Sequence, residues 1–281
     1  MFSPSLFSRS LSFAALALVL APALAGCRSR TVAPVDEDPS TTQPDAAHAR
    51  GRKITEVVGI TPGQREILAH RYVGADPRYR ALIFFSIHGD ERPAEELATA
   101  FGEWLEAHPE SWADREICFV PVMNPDGLAS RTRVNGAGVD VNRNFPADNW
   151  QTQARGARYN PGPFAASEVE TTALMRLIER LPPQWIVSIH APLACVDWDG
   201  PGEALARAMS EANGLPARKV GYATPGSFGS WAGVDRGIPV VTLELDQRLE
   251  PEDRERQLLG LEVAVRWDPE LGAVAPVPGR P

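Results

Sequence analysis

His88 and Glu91 place an imidazole and a carboxylate three residues apart, where an apolar run (81–87) gives way to a helical pattern. A second imidazole, His190, closes the run Trp185-Ile-Val-Ser-Ile, and Glu244 sits alone within Pro239-Val-Val-Thr-Leu-Glu-Leu245. Two histidines and one glutamate with an open fourth position are a recognised donor set for catalytic zinc, so His88, Glu91 and His190 read as ligands of one Zn2+ per chain. His48, His70 and His108 have no such company and read as packed or surface residues. A carboxylate in an apolar strand is costly to bury unless it is paired or functional. Glu244 is therefore the candidate general base, placed to take a proton from attacking water and deliver it to a leaving amine.

Between these segments lies Asp140-Val-Asn-Arg143. Asp140 is the candidate acceptor that fixes the tautomer of a metal-bound histidine. Asn142 and Arg143 suit a fork for a substrate carboxylate, because a guanidinium matches that group bidentately. Arg133, seven residues before Asp140, suits stabilisation of a developing oxyanion. Spacing alone leaves Arg131 open for the same role.

These groups need a scaffold that brings them together. Short β-branched and aromatic runs (81–87, 117–123, 185–189 and 240–245) alternate with helical patterns (91–107, 167–181, 203–213 and 251–267), which predicts an α/β sheet covered by helices. Leu97, Phe101, Trp104 and Leu105 share one face of the first helix, and Ser167-Glu-Val-Glu170 reads as a capping box opening the second. The chemical candidates fall at the C-terminal ends of the strands, where open α/β sheets bind ligands.

The 281 residues carry a net charge of -8 and no run of basic residues, so one catalytic domain over 53–270 is expected and nucleic acid is excluded as a partner. Ahead of it, Arg9, an apolar run over 11–25 and Leu24-Ala25-Gly26-Cys27 read as a lipoprotein signal peptide (1–27), with Cys27 as the lipidated residue. Residues 28–52 are rich in Pro, Thr, Asp and Ala and read as a disordered tether, and 271–281 as a flexible tail. Cys118 and Cys195 read as buried thiols, with a disulfide left open.

His88-Gly-Asp-Glu91, Asn124-Pro-Asp-Gly127, Gly138-Val-Asp-Val-Asn-Arg-Asn-Phe-Pro146, Ser188-Ile-His190 and Thr242-Leu-Glu-Leu245 together resemble the zinc metallocarboxypeptidase family, in the family's order. The resemblance implies a mixed, mostly parallel twisted sheet of about eight strands flanked by helices. It also implies zinc on His88, Glu91 and His190, Glu244 as catalytic carboxylate, Asn142 and Arg143 as carboxylate binders, and Arg133 as oxyanion donor. Ser188-Ile-His-Ala-Pro-Leu-Ala-Cys195 and Tyr222-Ala-Thr-Pro-Gly-Ser-Phe-Gly-Ser-Trp231 are similar to the murein peptide amidase branch, which cuts between γ-D-glutamate and meso-diaminopimelate in cell-wall stem peptides. At the specificity position two before Trp231 stands Gly229, which offers room for a long side chain but no charge. Asp197 and Asp199 are candidate contacts for the diaminopimelate ammonium. No obvious equivalent of the digestive enzymes' substrate-capping tyrosine can be placed, although Tyr222 is nearby in sequence.

The branch's best-known members recycle wall peptides in the cytoplasm, whereas this N-terminus points to the cell envelope. Arg28 after Cys27 favours the outer membrane, with the enzyme on its periplasmic face. Three other readings compete: a general or wall-trimming carboxypeptidase, a zinc N-acyl amino acid deacylase of the desuccinylase and aspartoacylase type, and a non-catalytic wall-binding lipoprotein. Asn124-Pro-Asp-Gly127 and the segment ending at Trp231 argue against the deacylase. The intact set of ligands with Glu244 argues against the non-catalytic protein.

Overall fold

The computed structural model describes residues 51–153 and 156–275. The expected signal peptide with Cys27, His48, residues 28–50 of the expected tether and residues 276–281 of the expected tail lie outside the described residues. The apolar runs form β3 (Tyr79–Phe84), β4 (Arg115–Val120), β5 (Trp185–His190) and β7 (Val240–Glu244). Nearly every residue in them is buried, because both faces of the sheet are covered. They pair in parallel in the order β4-β3-β5-β7.

Three strands extend this centre antiparallel: β1 (Arg52–Ile60) and β2 (Glu66–Val73) beyond β4, and β6 (Cys195–Asp199) beyond β7. The mixed sheet thus has seven strands where about eight are expected. Two further short strands, β8 (Trp267–Asp268) and β9 (Ala273–Val274), pair only with each other, so regular pairing continues past residue 270.

Side chains alternate across a strand, which sorts the core. Ala81, Ile83, Val187, Ile189, Val241 and Leu243 face α1 (Arg92–Ala107), α4 (Glu203–Asn213) and α5 (Pro251–Arg266). Leu82, Phe84, Ile186 and Val240 face α3 (Val169–Arg180), Phe145, Phe228 and Trp231. Ser188, His190, Thr242 and Glu244 continue this second face to the strand ends. The sheet therefore delivers a ligand and the candidate base side by side.

The expected capping box at α3 is not formed. The N-cap is Glu168, without a side-chain cap, and Ser167 Oγ instead donates to Glu168 Oε1 at 2.5 Å and accepts from Asn144 Nδ2 at 2.9 Å. Asn135 Nδ2 takes the Glu170 carboxylate at 3.0 Å, so two buried asparagines claim both halves of the box. Cys118 and Cys195 are free and buried, and burial pushes their thiols up to about 12 and about 11. Both are thus inert as nucleophiles at neutral pH.

Candidate active site

The loop after β3 is tied to the loop after β4. Asn124 Nδ2 donates to the Ile87 carbonyl at 3.2 Å, while Asn124 Oδ1 caps α2 (Pro125–Ser130) through Gly127 N at 2.8 Å. A Cβ on Gly89 would stand 1.9 Å from the Gly127 carbonyl carbon, so only glycine lets the two loops touch. That contact fixes the segment between His88 and Glu91, and Glu91 serves as N-cap residue of α1.

Three donors converge there. His88 Nδ1 lies 2.7 Å from Glu91 Oε1 and 3.2 Å from His190 Nδ1, and His190 Nδ1 lies 3.2 Å from Glu91 Oε2. All three residues are buried and their donor atoms fall within 4.8 Å of one another. Burial opposes ionisation of Glu91, yet His88 and His190 hold its carboxyl well below the ordinary carboxylate range. His88 Nε2 faces Asp140 Oδ1 at 3.1 Å, which assigns the ring proton to Nε2 and leaves the Nδ1 lone pair for the convergence point. Ligands about 2.0–2.1 Å from a tetrahedral zinc lie roughly 3.3 Å apart, so the two imidazole nitrogens already stand at a spacing that fits the ion.

Glu244 pairs with His190 across β5 and β7. It is 9 % exposed, and its Oε2 accepts from Leu193 N at 3.4 Å. Burial raises its carboxyl, the Glu91 charge adds to that, and His190 opposes it. A carboxylate with raised proton affinity at the edge of a cavity is matched to general base chemistry.

Asp140 is fully buried and holds several groups at once. Its Oδ1 accepts from Asn142 N at 3.0 Å, and its Oδ2 accepts from Arg133 Nε at 2.8 Å. Burial resists its ionisation, but His88, Arg133 and Arg143 keep it charged. Arg133 also reaches Glu91 Oε1 at 3.5 Å and lines the cavity, whereas Arg131 points away and pairs with exposed Glu95 at 2.5 Å. The geometry therefore brings Arg133 and not Arg131 to the site. Asn142 Oδ1 is spent on Phe228 N at 2.8 Å, which ties it to the segment bearing Gly229.

Arg143 lines the same cavity and forms no salt bridge to a carboxylate among the described residues. Its guanidinium donates to the Asn142 carbonyl at 2.6 Å, and burial lowers its pKa. One residue that the sequence did not mark completes this corner. The Tyr159 ring lies against both cations, 5.3 Å from the Arg133 guanidinium and 5.8 Å from that of Arg143. It sits in an aperiodic Gly/Asn/Pro loop, where no spacing rule points to it.

The cavity, of about 620 Å3, runs from the donor triad past Glu244 to Gly229, Asp197 and Asp199, with Tyr222 on its wall. A Cβ on Gly229 would stand 1.9 Å from Asp199 Oδ2, so the glycine makes room for a carboxylate. The wall at Gly229 is thus charged after all, through its neighbour. Asp197 is already engaged: Lys219 Nζ lies 3.0 Å from its Oδ1 and 3.6 Å from Asp199 Oδ1. Lys219 is the second residue that sequence reading missed. Its signal was rarity, since Lys53 and Lys219 are the only lysines among 28 basic residues.

A buried His-Glu-His triad beside a carboxylate, at the C-terminal ends of parallel strands, defines a metal-dependent hydrolase on an α/β scaffold. Residues 54–196 match the model of the zinc carboxypeptidase family. Murein peptide amidase A of Escherichia coli is 36% identical over 208 residues, covering 70% of this chain and 83% of that protein. The protein of that name from Vibrio campbellii is 34% identical over 205 residues, covering 68% and 79%. The crystal structure of a murein-tripeptide amidase from Escherichia coli O157 superposes with a TM-score of 0.62 at 30% identity, covering 81% of this chain and 98% of that one. The chain belongs to the zinc carboxypeptidase family and is a hydrolase acting on peptide bonds.

Proposed function

We propose that this enzyme hydrolyses the amide bond between γ-D-glutamate and meso-diaminopimelate in peptidoglycan stem peptides, with one Zn2+ held by His88, Glu91 and His190. The observation that carries the reading is one cavity in which that triad and Glu244 face Arg143, a cation without a carboxylate partner among the described residues. The substrate class is supported by the murein peptide amidases, whose length the chain covers to 79–83%.

When bound, zinc supplies Lewis-acid activation of water and of the scissile carbonyl. The protein's own residues do the rest. Arg143 and the Asn142 amide hold the carboxylate of the leaving residue, setting the scissile carbonyl beside Glu244. Glu244 takes a proton from the attacking water and passes it to the leaving nitrogen. Arg133 faces the oxygen on which negative charge develops, and Asp140 holds that guanidinium in place. Tyr159 screens both guanidinium groups on one side, which strengthens their attraction for substrate charge.

The test is incubation of the zinc-loaded protein with L-Ala-γ-D-Glu-meso-diaminopimelate and with longer stem peptides, with products identified by mass. Free diaminopimelate released from the tripeptide, and lost on chelation, is the expected result. An intact tripeptide, with terminal residues trimmed from longer peptides, would replace the amidase reading by a general carboxypeptidase.

For location, the support is in the sequence: small residues precede Cys27, and Arg28 rather than Asp follows it. The enzyme is placed on the periplasmic face of the outer membrane, anchored by lipid on Cys27. Cells making the Cys27→Ser protein should fail to label it with palmitate, and full labelling would remove the anchor from Cys27.

A further inference from the structure

The strand order β3-β5-β7-β6 sets His88, His190, Glu244 and the Asp197 and Asp199 pair in a row across one cavity. In the proposed reaction the leaving residue fills the half beside Glu244 and Gly229. The acyl half of the substrate therefore runs the other way, past the triad towards the loop that follows β3. At about 4.8 Å per strand, that end lies roughly 14 Å from β6. Arg158 forms its wall, and Arg158 Nη1 lies 2.8 Å from Oδ2 of Asp90, the residue just before the ligand Glu91.

Four cationic side chains line the cavity among the described residues: Arg133, Arg143, Arg158 and Lys219. Arg133 is held by Asp140, Arg143 stands beside Asn142 on the leaving side, and Lys219 is paired with Asp197 and Asp199 at the far end. Arg158 differs in where its counter-ion sits. Its guanidinium lines the cavity, whereas Asp90 lies behind it and does not, with Oδ1 buried and without a hydrogen-bond partner among the described residues. A ligand at this end thus meets the cation first. The Arg158 side chain is about half exposed, and a guanidinium with five N–H donors keeps some for a ligand after meeting one carboxylate oxygen.

The arginine is also set in place from its own loop. The Asn160 carbonyl accepts from Asp140 N at 2.8 Å, and Asn160 Nδ2 donates to the Gly138 carbonyl at 2.9 Å. Residues on both sides of Tyr159 are thereby pinned, one to the turn of the ligands and one to the segment bearing Asp140. A cation positioned in advance loses little freedom on binding.

A γ-linked glutamyl residue gives its side-chain carbonyl to the scissile bond and keeps its α-carboxylate free. That carboxylate lies four bonds from the scissile carbon, about 5 Å away when extended. With the carbonyl at the triad, it comes to the end of the cavity where Arg158 meets the ligands' own turn. We infer that Arg158, oriented by Asp90, binds the free α-carboxylate of the glutamyl residue on the acyl side of the scissile bond. The inference rests on the amidase reading and adds what recognises the half of the substrate that does not leave. It makes amidation of that carboxylate a modification that the enzyme discriminates against.

The experiment compares kcat/KM of the zinc-loaded protein for L-Ala-γ-D-Glu-meso-diaminopimelate and for the same peptide with the glutamyl α-carboxylate amidated. The parent enzyme should prefer the free carboxylate by about tenfold, the lower end for a charge-assisted contact because Arg158 is half exposed. Raised salt should shrink that preference. Arg158→Met should lower kcat/KM for the free-carboxylate peptide about tenfold more than for the amidated one, so that the two substrates become equal. An arginine that only braces the turn of the ligands would lower both substrates in proportion. An unmoved ratio in Arg158→Met, or a parent enzyme that cleaves the two peptides equally, would overturn the subsite and leave the amidase reading intact. Absence of cleavage of either peptide by the parent enzyme would overturn both.

Discussion

Glu244→Gln should keep zinc bound and the fold intact while turnover falls by about 10²- to 10⁴-fold, the usual contribution of a positioned general base. The amide has nearly the shape of the carboxylate and can still accept from Leu193 N, now 3.4 Å from Oε2. What it cannot do is take a proton from water and hand it to the leaving nitrogen. Stability should move the other way. Burial raises the folded-state proton affinity of this carboxyl, so the folded protein binds more protons here than the unfolded chain, and the group costs stability as pH rises above the ordinary carboxylate value. The chelated Glu244→Gln protein should therefore melt at or above the chelated parent at pH 7, and the two should converge at acid pH. Zinc content, turnover and melting of the two proteins check all three statements. Unchanged turnover would remove Glu244 from the reaction.

The opposed signs follow from the same burial that made Glu244 legible in sequence, as a lone carboxylate in an apolar strand. The central strands could be read for a related reason. Each of β3, β4, β5 and β7 is buried on both faces, so each is a run of β-branched and aromatic residues. β1 was not legible, because it lies at the edge and exposes Arg52, Lys53, Thr55 and even Val57. β6 hid behind Asp197 and Asp199, whose charges break the apolar pattern because the strand's inner face lines a cavity. The false capping box at Ser167 shows the other failure: a local motif lost to the distant Asn135 and Asn144, which no spacing reveals. In the site, residues fixed to strand ends could be read from sequence alone. Tyr159 and Lys219 could not be placed there, since each sits outside any periodic element and meets its charged partners only once the chain is folded.

His190→Ala should separate metal binding from proton transfer. The substitution leaves His88 and Glu91, two donors from one turn of chain, where a catalytic site needs three. Zinc retained after dialysis should fall from one per chain to a small fraction, and activity should fall with it, below that of Glu244→Gln. The fold should survive, because His190 stands at the end of β5 and lines the cavity instead of packing against a helix. Thermal melting with added zinc then distinguishes the two variants. Zinc at about 100 times its dissociation constant stabilises a folded protein that binds it by about 2.7 kcal/mol. The parent and Glu244→Gln should show that gain, and His190→Ala should show none over the same range. If His190→Ala kept one zinc per chain and the same gain, the ligand set would lie elsewhere. Among the described residues no other group of three His, Cys, Asp or Glu converges, so that result would also remove the reason for placing the reaction at this end of the sheet.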